Sequence, residues 1–398
     1  MISGGDRDVS RELQPEGGQH QPTEFVQTFM KNVGIIGGGI GGVAAAVALE
    51  RLGVRATVYE RWGELKEAGA GMMLWPNATR ILKSLGVLEE VAARSGANTN
   101  FLVRAMDGAV LMNLPLGKFE VPALCTRRSD VLAALVTALP PGCVRLGKEL
   151  TQFRQQGGRV RVEFADGSTA EHDALIGADG IRSRVRTQLF PEVAPIYRGY
   201  MVWRGVSAYR GPAISTGENS ETWGHGSRFG ILDIGGGKFT WYATANRDRH
   251  SGVPREWLRA RFAGWHDPIP DLIESAELIL EHGAYDLPAL PRWTVGQVTL
   301  LGDAAHACTP NLGQGGCMAL EDAMVLAKCL AGDFGTGLQR YEELRRGRAR
   351  GIQRRSLWMG AVGQWESAVM VAGRRAVTSR LPAGWFEWNL RRVYAYEA

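Results

Sequence analysis

An α/β architecture is predicted, with a β-rich region inserted into it and a helical C-terminal tail. Three observations carry the prediction. A short apolar strand runs into the glycine-dense turn Gly37-Gly38-Gly39-Ile40-Gly41-Gly42, and a helix of small residues and a second strand follow. Residues 198–246 hold alternating apolar runs such as Phe229–Ile234 and Phe239–Ala243, the period-two pattern of strands. From about Met318 to the end the pattern is helical.

Taken in order, residues 1–29 are polar and turn-rich, with Gly4-Gly5, Gly17-Gly18 and Gln21-Pro22, and predict a disordered extension. Met30-Lys31-Asn32 leads straight into the first strand, so Met30 reads as the natural start, or residues 1–29 as a dispensable tail. Val33–Ile36, Ile40–Leu52 and Ala56–Tyr59 form one strand–helix–strand unit ending at Glu60. A helix is expected over Asn77–Leu85, strands over 98–114, and a helix over Ser129–Leu139 with Ser129 or Asp130 as its cap. Arg159–Phe164 and Ser168–Glu171 read as a hairpin across Ala165-Asp166-Gly167. Ala174–Gly177 and Val298–Leu301 read as buried strands.

A chain of 398 residues suggests two or three domains. Its 45% apolar and 22% charged content excludes wholesale disorder. Its 52 glycines exceed average usage without a collagen-like period, which points to glycine-rich turns. The net charge of +5 is unevenly spread. Residues 331–398 hold twelve arginines against six acidic residues, while residues 30–330 hold 32 basic against 30 acidic. A nearly neutral body argues against nucleic-acid binding. Five cysteines without a CxxC pair predict reduced thiols in a cytoplasm. The uncharged stretch Val33–Leu49, 17 residues with six glycines, is short for a membrane span.

Gly37, Gly39 and Gly42 fit G-x-G-x-x-G in its required strand–turn–helix context. The glycines allow a tight turn and close approach of a pyrophosphate, and the helix start supplies free N–H groups to it. Glu60 ends the second strand, 18 residues after Gly42, where an acid accepts from a ribose hydroxyl. The competing reading is a glycine turn in an apolar hairpin. The motif indicates a dinucleotide without choosing between FAD and NAD. Asp179-Gly180 follows the strand Ala174–Gly177 and by itself is a plain turn. In the third segment a strand ends at Gly302-Asp303, and Gly313–Gly316 opens a helix. Asp303 is placed to accept from a polyol, and the glycine amides suit an anion. His306 and Cys308 lack partners at ligand spacing, so packing is expected of them rather than metal binding or nucleophilic chemistry.

Together, in this order and spacing, the three segments resemble the class A flavoprotein aromatic hydroxylases, the para-hydroxybenzoate hydroxylase family. The third is most similar to the branch of salicylate hydroxylase, urate hydroxylase and zeaxanthin epoxidase. The resemblance covers about residues 31–350. It implies a Rossmann-type FAD-binding domain (30–96, 126–192 and 293–356), an inserted β-sheet substrate domain (97–125 and 193–292) and a helical C-terminal tail (357–398). It assigns the FAD pyrophosphate to Gly37, Gly39 and Gly42, and the adenosine ribose to Glu60, with Arg61 beside it in the cofactor set. Arg128 would open a helix beside the flavin chain, and Leu150 would make a backbone contact near the adenine. Asp179, with Gly180, Ser183 and Arg186, matches a second fingerprint associated with NAD(P)H. Asp303 would bind the ribityl chain, and Pro310, Gly313, Gln314, Gly315 and Gly316 would line the isoalloxazine ring. Arg228 is the first catalytic candidate and Arg204 the second. No metal is expected.

The implied reaction uses NADPH or NADH to reduce FAD. Oxygen then yields a C4a-hydroperoxide that hydroxylates an electron-rich aromatic or N-heteroaromatic small molecule. The alternatives are an epoxidase acting on an alkene or heteroaromatic double bond, and a flavin-binding protein without turnover. A NAD-only dehydrogenase would satisfy the first motif but not the other two. Trp203, Trp223 and Trp241 read as sheet core before substrate contact. The stretch Arg345 to Arg355, followed by aromatic residues as far as Tyr396, reads as a solvated helix face packed on the cofactor domain. A lipid-touching segment is the less favoured alternative.

Overall fold

β1 (Asn32–Ile36) ends in the glycine turn, α1 (Ile40–Arg51) follows, and β2 (Arg55–Tyr59) returns parallel to β1. Val43–Leu49 of α1 is buried throughout, because alanines and glycines let other elements pack on several of its sides. The computed structural model describes residues 1, 31–65, 71–117, 119–209, 211–215, 217–248, 252, 254–381, 384, 393–396 and 398. The extension expected at 1–29 lies, apart from Met1, outside them. Residues 31–398 form one compact unit.

After β2 come β3 (Gly71–Leu74), α2 (Pro76–Ser84), α3 (Leu88–Ala92) and β4 (Gly96–Ala97). β5 (Asn100–Ala105) and β6 (Val110–Pro115) form a hairpin, and β7 (Leu124–Arg127) runs directly into α4 (Arg128–Thr137). The cap of α4 is therefore Arg127, two or three residues ahead of the expected Ser129 or Asp130. The abrupt strand-to-helix switch leaves no turn for a polar cap to occupy. β8 (Val144–Arg145) precedes the antiparallel strands β9 (Leu150–Gln156), β10 (Arg159–Phe164) and β11 (Thr169–His172). β12 (Ala174–Gly177) and α5 (Arg184–Leu189) follow.

The β-rich region comprises β13 (Ile196–Ala208), β14 (Glu218–Trp223), β15 (Ser227–Asp233), β16 (Lys238–Asn246) and β17 (Ile279–Asp286). Before β17 it also holds α6 (Arg255–Arg261) and α7 (Ile269–Glu274), which the sequence reading did not separate from strands. The chain closes with β18 (Val298–Leu300), α8 (Asp303–His306), a 3-10 turn (Pro310–Leu312), α9 (Gly315–Gly332), α10 (Gly337–Gly363) and α11 (Ala368–Thr378). α10 runs across residue 357, where a separate tail was expected.

Two sheets position everything else. A five-stranded parallel sheet has the order β18-β12-β1-β2-β8, drawn from distant parts of the chain. A seven-stranded sheet has the order β17-β13-β16-β15-β14-β5-β6. Alternation gives the larger sheet two faces. On one face Trp203, Phe229, Ile231 and Trp241 pack with Leu258, Phe262, Leu272 and Ile273 of the α6–α7 region. The other face, carrying Arg204, Glu221, Arg228 and Tyr242, looks into a cavity. Trp203 and Trp241 are thus sheet core, each 1% exposed, whereas Trp223 lines the cavity. Among the described residues, no helix is long and apolar enough to cross a membrane.

Candidate active site

The cavity, of about 1010 Å³, is lined on one side by the loops at the strand ends of the parallel sheet and on the other by the large sheet. Glycine is required at the first loop. Gly37 has φ +113°, and a Cβ there would meet the Ala178 carbonyl oxygen. A Cβ at Gly42 would run into the Gly37 carbonyl oxygen. Gly39 is the N-cap of α1 and lines the cavity, so free amides at the helix start face the open space. This cradle fits a pyrophosphate.

Glu60 lies behind that loop rather than in the cavity wall. Its Oε2 accepts from the Gly38 N–H at 2.7 Å and its Oε1 from the Trp62 N–H at 3.1 Å. Arg61 is exposed and stacks its guanidinium over Trp62. Leu150 is buried at the start of β9. Asp179 Oδ2 accepts from the backbone N–H groups of Arg184 and Val185 at 2.7 and 3.2 Å, bracing the start of α5. The Arg186 guanidinium donates to the Ala304 and Ile181 carbonyls, tying this segment to the Asp303 loop.

Asp303, Arg128, Pro310, Gly313, Gly315 and Gly316 share the cavity wall. The Asp303 side chain opens into the cavity but is ringed by protein, and this desolvation holds its carboxyl above the usual range. Gly302, at φ +61°, turns β18 into the loop, and its N–H donates to Asp322 Oδ2 at 3.1 Å. The same Asp322 oxygen lies 2.6 Å from His306 Nε2, which makes His306 a brace, as packing predicts. Among the described residues there is no group of three or more His, Cys, Asp or Glu that could hold a metal. Gln314 is the backbone cap of α9, and its side chain turns inward to accept from Asn77 Nδ2 at 3.0 Å. A dinucleotide with a polyol chain and a flat polar ring matches this wall: a glycine cradle, a carboxylate open to the cavity, then glycine amides at the N-terminus of an 18-residue helix.

The two arginine candidates differ in what they touch. Arg228 is 2% exposed and fully engaged. Its Nε donates to Gln364 Oε1 at 3.0 Å, its Nη1 to Glu221 Oε1 at 2.9 Å and its Nη2 to Asn311 Oδ1 at 2.5 Å. Burial alone would lower its pKa, but the Glu221 carboxylate and the tyrosines Tyr200 and Tyr242 outweigh that and raise it. Asn311 Nδ2 donates to Thr309 Oγ1 and the Ser356 carbonyl, so Arg228 fixes the Pro310–Leu312 turn against α10. Arg204 makes no hydrogen bond or ion pair with the described residues, and it lines the cavity. Desolvation, with Arg128 nearby, brings its guanidinium down to about 10. On the same sheet face, His282 is opposite Val202 in register, two residues from Arg204. Burial and then Arg204 hold His282 down at about 4, so it is neutral near pH 7. Tyr242 donates to Glu221 Oε2 at 2.9 Å.

Glu221, Tyr242, His282, Asn311 and Gln364 were not read from the sequence. Asn311 lies within the third segment, between Pro310 and Gly313, but its role there was not read; strand pairing brings Glu221, Tyr242 and His282 to the cavity, and the end of α10 sets Gln364 behind Arg228. Tyr394 lines the cavity and stacks on Trp75 with ring centroids 4.0 Å apart. The expected solvated arginine face is in part inverted. Arg345 is 0% exposed and pairs with Glu321 and Asp322 at 2.6 Å each, and Arg348 pairs with Glu321.

The chain is similar to known proteins over most of its length. Residues 30–208 and 288–356 match the FAD binding domain family. The chain is 38% identical over 346 residues to the aurachin C monooxygenase/isomerase of Stigmatella aurantiaca, covering 84% of this chain and 90% of that one. It is 35% identical over 362 residues to the 2-heptyl-3-hydroxy-4(1H)-quinolone synthase of Pseudomonas aeruginosa, covering 87% and 94%. The crystal structure of Klebsiella pneumoniae HpxO complexed with FAD and uric acid superposes with a TM-score of 0.84 at 27% identity, covering 90% of this chain and 95% of that one.

Proposed function

Since this chain belongs to the FAD-dependent aromatic monooxygenases, we propose that Arg204, rather than Arg228, meets the oxyanion of its substrate. The protein is a flavoprotein monooxygenase that uses FAD and NAD(P)H. FAD, reduced by NAD(P)H, supplies the oxygen-activating chemistry. The substrate is a hydroxylated aromatic or N-heteroaromatic ring. Such a ring is activated for attack by an electrophilic oxygen when its hydroxyl is deprotonated, and an unpaired guanidinium in a poorly solvated cavity favours that anion. The single observation carrying this reading is that Arg204 has no partner among the described residues, while all three nitrogens of Arg228 do. Arg228 acts as a positioning residue that holds the Pro310–Leu312 turn through Asn311.

In the same reading Gly37, Gly39 and Gly42 meet the FAD pyrophosphate, Asp303 the ribityl hydroxyls, and Pro310, Gly313, Gly315 and Gly316 the ring. Glu60 keeps lone pairs for the ribose while bracing the Gly38 amide, and Arg61 and Leu150 stand at the adenosine end. Gln314 and Asp179 hold the loops from behind. The apolar walls and Trp223 keep water from the oxygen-transfer step.

The test begins with a panel of hydroxybenzoates, hydroxypyridines and 4-quinolones, followed by NAD(P)H oxidation and product mass. With the best substrate, Arg204→Gln should raise KM by roughly tenfold to a hundredfold, the loss of one charged hydrogen bond, with FAD content unchanged. An unchanged KM would remove Arg204 from the substrate.

A further inference from the structure

The large sheet is polarised along its strand order. One straight cross-strand row faces the cavity: Arg204 opposite Tyr242, Tyr242 opposite Gly230, Gly230 opposite Glu221, Glu221 opposite Val103, and Val103 opposite Met112. A Cβ at Gly230 would press into the Tyr242 ring, so glycine there lets Tyr242 lie across β15 and reach Glu221. On the β13 side of Glu221 the row is polar. Beyond it, on β5 and β6, the row turns apolar. Next to Val103 and Met112, Phe101 and Leu114 form a second cross-strand pair. Trp75 and Tyr394 stand over the same corner, with Trp75 and Phe101 6.3 Å apart between ring centroids. All six side chains line the cavity; Val103, Leu114, Trp75 and Tyr394 are otherwise packed into the core, and Phe101 and Met112 are the half-buried pair that stays open to it.

A single small polar ring matches the Arg204 end but does not cover the half-buried faces of Phe101 and Met112. We infer that the substrate is amphipathic, a hydroxylated aromatic head that carries a long apolar chain laid over β5 and β6. From β14 to β6 is two strand spacings, roughly 10 Å, the reach of an extended chain of about seven or eight carbons. Neither a second carboxylate nor a sugar suits that wall, because a polar group there would lose water without gaining a hydrogen bond. The inference rests on the monooxygenase reading above, but it concerns binding and is tested by binding.

The FAD-loaded protein is titrated with two homologous series, 2-alkyl-4-quinolones and 4-alkylsalicylates, each with methyl, pentyl, heptyl and nonyl chains. Binding is read from the change in flavin absorbance. Kd should fall about threefold to fourfold per methylene as far as heptyl in at least one series, from the burial of each CH₂, and level off beyond. In Met112→Trp, a change at a half-buried edge-strand position, the gradient should vanish while the methyl analogue binds as before. Phe101→Ala should flatten the gradient as a second check. Kd independent of chain length in both series, or no binding at any length, overturns the inference. Product analysis of the same mixtures with NAD(P)H and oxygen keeps the two claims apart. A steep chain-length gradient without oxygenated product would leave the amphipathic pocket standing and sink the monooxygenase reading.

Discussion

His172 is 2% exposed, with its Nε2 3.0 Å from Tyr59 Oη and its ring beneath Gly34, whose missing side chain leaves it room. Burial, and then Arg159, hold its pKa down at about 4 against an ordinary 6.5. The unfolded chain therefore takes up a proton as pH falls through about 6.5, while the folded chain refuses it until about 4. Across that window the unfolded state binds more protons, so stability falls as pH drops. His282 has the same sign. In His172→Gln, the loss of unfolding free energy between pH 7 and pH 5 should shrink by about 2 kcal/mol relative to the parent, as measured by urea titration at both values. An unchanged pH slope would show that His172 accepts its proton normally. Single residues were the scale at which the sequence was hardest to read. Motif position ranks Arg228 ahead of Arg204, but the pairing that reverses their roles comes from Gln364, 136 positions away, and from Glu221 on the next strand.

At the scale of elements, local pattern sufficed where the determinants were local. The β1–α1–β2 unit, the β10–β11 hairpin and the buried strands β12 and β18 follow from periodicity and turn residues. It failed where tertiary pairing decides. Nothing in the spacing of Arg345 and Arg348 distinguishes a solvated face from one that meets Glu321 and Asp322 of α9. Those carboxylates are both 0% exposed. Burial would raise the pKa of Asp322, but His306 and Arg345 outweigh it and bring it to about 2. Arg345 is the counter-charge that makes this cluster tolerable beneath the Gly302–Asp303 loop. Arg345→Ala should therefore cost about 3–5 kcal/mol of stability, the usual result of stranding a buried charge. Guanidinium unfolding of the variant and the parent measures it, and a loss below about 1 kcal/mol would mean that water reaches the carboxylates.

At the scale of the whole molecule, interleaving is what makes the site. The parallel sheet draws strands from residues 32–59, 144–145, 174–177 and 298–300, while the large sheet takes 100–115 and 196–286. Each return of the chain brings a different part of the cavity wall: the cradle with β1, Arg128 after β7, Arg204 on β13, and Asp303 after β18. The cofactor side was legible because glycine loops and a strand-terminal aspartate carry their chemistry in consecutive residues. The substrate side was not, because its wall is a row across six strands with one residue from each. The C-terminal segment, expected to pack as a helical tail on the cofactor domain, also returns Tyr394 to the cavity and stacks it on Trp75. The protein uses FAD, NAD(P)H and oxygen to put one oxygen atom on an aromatic ring. The most direct measurement is mass spectrometry of the product formed under heavy-isotope dioxygen in ordinary water. One heavy oxygen atom per product molecule is the predicted result. Product oxygen drawn from water, or NAD(P)H oxidised to give hydrogen peroxide alone with every substrate tried, would contradict it.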